Sequence, residues 1–95
     1  MDDSQEPDGV NRCGSLVRVV DRSTPGGEYK RFDVENRSGK NASVLLKCTY
    51  SYRGKREVRY IPVAVNKQQT VHGWSFNVDQ DPDCDIHDCD YTGPK

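Results

Sequence analysis

The segment Ala42–Arg53, ASVLLKCTYSYR, places Val44, Leu46, Cys48, Tyr50 and Tyr52 on one side of an extended chain and Leu45, Lys47, Thr49, Ser51 and Arg53 on the other. Side chains alternate between two faces only along a strand, so this segment predicts a half-buried strand that carries Cys48 into the core. A break at Gly54-Lys55 follows, and REVRYIPVAV (Arg56–Val65) resumes the alternation with Val58 and Tyr60 on one face. The two segments together predict a hairpin. Pro62 lacks an amide proton, which assigns the second strand to a sheet edge or gives it a bulge.

The same period extends outward in both directions. Cys13–Val20 (CGSLVRVV) is followed by the breaker STPGG, and Glu28–Asn36 (EYKRFDVEN) carries Phe32 and Val34 on one face with Asp33 and Glu35 on the other, where they are expected to be solvated. RSGKN forms the next turn. Beyond NKQQ, Thr70–Val78 (TVHGWSFNV) puts His72, Trp74, Phe76 and Val78 on a shared face, with Trp74 expected to be buried. Gly73 there marks a bulge or a close backbone approach. CDIHDCDY is a candidate sixth short strand. Every window long enough for a helix is interrupted by Ser, Thr, Gly, Pro or β-branched residues. The expected fold is therefore all-β: a small antiparallel sandwich or barrel of five to six strands over residues 13–78, stabilised by disulfides. An acidic, disordered segment (1–12) precedes it, and an acidic cysteine-containing tail (79–95) follows.

Ninety-five residues, 33% of them apolar, with a mean hydropathy of -0.94, can build only a small core. Cross-links are the expected supplement. Cys13, Cys48, Cys84 and Cys89 contain no CxxC pair, so their spacing favours two disulfides over zinc. Of the three possible pairings, two join the tail cysteines to Cys13 and Cys48, and one of these two is expected. A tail with only Ile86 and Tyr91 to bury needs such an anchor. Disulfides imply a secreted or periplasmic location. The acidic start MDDSQEPDGVN is not a signal peptide, so the chain is expected to follow a signal that has been removed. Nowhere do 18 apolar residues occur together, so no membrane span is expected.

Charge is segregated along the chain. Residues 9–76 carry thirteen Lys or Arg against five acids, while DQDPDCDIHDCD (Asp79–Asp90) is half aspartate. Two constellations could carry a function. The hairpin YSYRGKREVRY (Tyr50–Tyr60) collects Arg53, Lys55, Arg56 and Arg59 around Tyr52 and Tyr60, a basic and aromatic tip suited to a partner surface, a glycosaminoglycan or a nucleic acid. Asp79, Asp81, Asp83 and Asp85 recur at every second residue, as in the first positions of a calcium loop. That loop would want Gly where Cys84 stands and Glu where Asp90 stands. The tail is therefore expected to be a solvated acidic segment rather than a metal site. His87 would need a second imidazole, and His72 lies on a different strand. Asn36-Arg37-Ser38 and Asn41-Ala42-Ser43 are N-glycosylation sequons.

GxSxG, HExxH and phosphate-binding glycine loops are all missing from the sequence, and each cysteine is expected to serve in a disulfide. The expected function is a secreted or periplasmic, non-catalytic binding module, inhibitor-like or effector-like, that recognises another protein and needs no cofactor. The alternatives are a calcium-stabilised structural or adhesion module and a polyanion binder acting through residues 50–60.

Overall fold

A computed structural model describes residues 7–22 and 26–92. Six strands, β1 (Val17–Asp21), β2 (Tyr29–Asn36), β3 (Ala42–Tyr52), β4 (Lys55–Val65), β5 (Gln69–Asn77) and β6 (Asp83–Tyr91), form two three-stranded sheets in the orders β1-β2-β5 and β4-β3-β6. All strand pairs are antiparallel. The architecture is the expected disulfide-linked sandwich. Single 3-10 turns at Gly14–Leu16 and Val78–Gln80 are the helical pieces among the described residues, and none is long or apolar enough to cross a membrane.

The deciding segment lies at the centre of its sheet. In β3, Ala42, Val44, Leu46 and Cys48 are buried one after another at every second position, facing Phe32 and Val34 of β2 across the core. β3 and β4 pair without a slip from Ala42↔Val65 to Tyr52↔Lys55. Their connection is the two-residue turn Arg53-Gly54, with φ values of 53° and 80°. Two consecutive positive φ angles match the right-handed twist of the strands, which is why glycine fits the second position. β4 is an edge strand, so Pro62 sits where a missing amide proton does not interrupt the sheet interior.

β5 departs from simple alternation. Phe32 pairs with Trp74 but Asp33 pairs with His72, leaving Gly73 as the extra residue of a bulge. A Cβ on Gly73 would lie 2.9 Å from the Phe32 carbonyl oxygen and 3.0 Å from Leu46 Cδ1, so glycine permits the close approach. The bulge reverses the phase. Val71 packs on the core, His72 turns to the solvent face, and Trp74 and Phe76 return to the inner face. The expected shared face of His72, Trp74, Phe76 and Val78 is thus corrected: His72 faces away from the other strand residues, and Val78 has left the strand for the following turn.

The acidic stretch is more than a tail. Asp83–Tyr91 is a nine-residue strand paired with β3, with His87 displaced by a register shift between Leu45 and Leu46. Both of its cysteines are buried and cross-linked, Cys84 to the directly opposite Cys48 and Cys89 to Cys13. Residues 7–12, expected to belong to a disordered segment, run along the free edge of β6. The Arg12 amide donates to the Cys89 carbonyl and the Cys89 amide to that of Val10, at 2.8 and 3.1 Å. Residues 1–6 of that segment and 93–95 of the tail lie outside the described residues.

The β2–β3 corner is held by one buried side chain. Asn36, 1% exposed, donates from Nδ2 to the carbonyls of Lys40 and Val65 at 2.7 and 3.2 Å and accepts from the Ser38 amide and hydroxyl at 2.9 and 2.6 Å. Four hydrogen bonds satisfy its polar atoms inside the core. Its sequon nitrogen is therefore occupied, whereas at Asn41 it is Oδ1 that is engaged, by the Lys67 amide.

Candidate functional site: an aromatic cleft

Between β5 and the β3–β4 hairpin, aromatic side chains run from the core to the surface. Phe32 meets Phe76 edge-on with centroids 6.3 Å apart, and Phe76 meets Tyr50 at 5.2 Å. Beyond them Tyr50, Tyr52, Arg59, Trp74, Ser75, Phe76 and Gln80 line an open cleft of about 430 Å³. Tyr52 is 50% and Trp74 38% exposed, which corrects the expectation that Trp74 is buried. The Arg59 guanidinium lies 5.2 Å from the Trp74 ring and that of Arg53 5.2 Å from Tyr52, both within cation–π range.

Register explains this grouping. Arg59 pairs with Cys48 and Lys55 with Tyr52, so these cations share the inner face of β3 and β4 with Tyr50 and Tyr52. Arg56 pairs with Ser51 and Tyr60 with Lys47, on the outer face. The hairpin residues expected to act together are divided between two surfaces. Arg56 serves as a clamp: it donates to Ser51 Oγ at 2.9 Å, Thr49 Oγ1 at 3.1 Å and the Asp81 carbonyl at 3.1 Å, fastening the hairpin to the β5–β6 connection. Tyr60 packs against the His87 ring at 5.1 Å, and His87 Nε2 lies 2.6 Å from the Pro7 carbonyl.

The aspartates do not converge. Asp79 belongs to a 3-10 turn, Asp81 follows it in the left-handed region at φ 48°, and Asp83 and Asp85 lie exposed on β6. Among the described residues no three His, Cys, Asp or Glu side chains come together closely enough to hold an ion.

A second polar cluster sits on the solvent face of the β1-β2-β5 sheet. Asp33 is only 2% exposed, contrary to the solvated role expected of it, because cations cover it. Arg31 Nε reaches Oδ1 at 2.9 Å, Arg22 Nε reaches Oδ2 at 2.9 Å, and His72 Nδ1 lies 3.5 Å from Oδ1. Burial pushes this carboxyl up, but hydrogen bonds from Arg31, His72 and Arg22 and the charge of Arg31 outweigh it, so its pKa falls below the ordinary 3.8. Glu35 is lowered chiefly by its 2.6 Å hydrogen bond from Arg18. With Asp33 covered, and with Arg18, Arg22 and Arg31 more than half exposed, cations dominate the charge this face shows to solvent.

Sequence periodicity did not separate Tyr52 and Trp74 from core residues, because alternation reports which face a side chain takes and not whether the opposite sheet covers it. Comparison with protein-family models, curated proteins and solved structures found no match for this chain.

Proposed function

We propose that this disulfide-linked sandwich is a non-catalytic binding module of an oxidising compartment, secreted or periplasmic, that recognises a partner protein through the cleft around Trp74. The observation that carries the reading is the pairing of a partly exposed Trp74 with Arg59 and a half-exposed Tyr52 in one open cleft. Trp, Tyr and Arg are the residues that dominate binding energy at protein interfaces, since Trp and Tyr bury much area on few rotatable bonds and the planar Arg guanidinium both stacks and donates several hydrogen bonds. The calcium and polyanion alternatives draw less support. The alternating aspartates do not converge on one point, and the hairpin cations are divided between two faces.

The test is capture from the extracellular or periplasmic fraction of the native host on immobilised protein, with Trp74→Ala, Arg59→Ala and, as control, Lys67→Ala. A protein retained by the parent and the control but lost with the two cleft variants is the expected result. Equal retention by all four forms would place recognition elsewhere.

A further inference from the structure

The four edge strands are unequally protected against pairing with another chain. β4 carries Lys55, Arg56, Glu57, Arg59 and Pro62; β6 carries Asp83, Asp85, Asp88 and Asp90 and is lined by residues 7–12; the five-residue β1 carries Arg18 and Asp21. Charges, proline and short length are the usual defences of an exposed edge. β5, QTVHGWSFN, has neither proline nor a charged side chain apart from the titratable His72. Its Gly73 bulge divides the edge and leaves Trp74–Asn77 as a regular run beside the cleft. Among the described strands nothing pairs with this side of β5.

We propose that the Trp74–Asn77 edge of β5 accepts an extended segment of the partner protein as a fourth strand of its sheet, and that this segment alternates acidic with apolar residues. The inference rests on the cleft reading above and adds the form and chemistry of what is bound. Backbone pairing would supply affinity and alternate side chains the selection. One set of side chains on an added strand would face the cleft, where Trp74, Phe76 and Tyr52 offer apolar area and Arg59 a cation. The other set would lie on the solvent face of the sheet. There His72 stands on β5 itself, and Arg31, on the neighbouring β2, is paired with Ser75. Of the guanidiniums on that face, that of Arg31 lies nearest to an added strand, with Arg22 and Arg18 beyond it on the β1 side, and its exposed half favours acidic over basic side chains. Charge thus selects an acidic segment over a second copy of this sheet, whose face would bring like charges together.

The test pans random linear peptides displayed on phage against the oxidised full chain, then measures binding of a fluorescein-labelled selected peptide by anisotropy. Alternating acidic and apolar residues should be enriched, with affinity falling about tenfold or more in Trp74→Ala and Arg59→Ala. N-methylation of every second peptide amide should abolish binding in one phase and be tolerated in the other, because only one set of amides faces the edge. Tolerance in both phases, with the cleft variants still impaired, would refute strand addition and leave the cleft reading standing. Selected peptides that bind both cleft variants unchanged would refute the strand proposal and the cleft reading together. Enrichment of basic peptides, or of none, would overturn the proposal, and so would displacement by heparin combined with indifference to N-methylation.

Discussion

The two long margins of the sandwich are held by different means. At the β6 margin an acidic strand is joined to its surroundings by Cys48–Cys84 and Cys13–Cys89, by residues 7–12 along its edge, and by the Tyr91 hydroxyl, which donates to the Cys13 carbonyl at 2.8 Å. At the β5 margin, neither disulfide reaches the strand, which stays in place through Val71 and Phe76 in the core and through its ladder with β2. The contrast follows from composition. A strand with six aspartates in and just before it gains little from apolar burial and needs covalent closure, whereas an aromatic strand packs unaided and still has Trp74 to present.

The largest test of that contrast is removal of the Cys13–Cys89 bond. With a sequence separation of 76, loop entropy assigns it about 4.5 kcal/mol, against about 4 kcal/mol for Cys48–Cys84 with a separation of 36. Cys13→Ser with Cys89→Ser should therefore lower the guanidinium unfolding free energy severely and leave the alternative margin, read by Trp74 fluorescence in the folded baseline, unchanged. A loss below about 1 kcal/mol would show that the β6 margin does not depend on covalent closure.

A smaller effect is expected on the solvent face. Asp33→Asn keeps the shape but removes the charge that Arg31 and Arg22 neutralise, and should cost about 1 to 2 kcal/mol near neutral pH, since both arginines remain half exposed. The sign of its pH dependence is fixed by the lowered folded-state pKa. The stabilisation is complete above the unfolded value of about 4 and is lost as pH falls through the folded value. Parent and variant should converge in acid; a gap that widens there would contradict the ion cluster.

The smallest effect lies at the hairpin tip. Arg53 occupies a left-handed position at φ 53° that Asn tolerates better, so Arg53→Asn should raise stability by about 0.5 kcal/mol in thermal or chemical unfolding. A destabilised variant would show that the stacking of Arg53 on Tyr52 outweighs backbone preference.

Alternation along β3, the edge position of Pro62 and the bulge at Gly73 were all readable in the chain, because each depends on local stereochemistry; the hairpin turn was readable too, but it falls at Arg53-Gly54, one residue before the expected Gly54-Lys55. The union of the tail cysteines with Cys13 and Cys48 was readable as well, from the shortage of apolar residues around them. Three things were decided only by tertiary structure. Asp33 became buried because Arg22, Arg31 and His72 arrive from three different segments. The basic hairpin placed Arg59 and Lys55, and not Arg56 and Tyr60, on the face of Tyr52 because the register with β3 decides which side of β4 meets it. Trp74 became partly exposed because a one-residue bulge set its phase on an edge strand, where Tyr52 and Arg59 of the facing sheet line an open cleft instead of closing over it. Periodicity is a property of one strand, whereas coverage is a property of two sheets, and at the candidate site Tyr52 and Arg59 of the facing sheet line the cleft without covering Trp74.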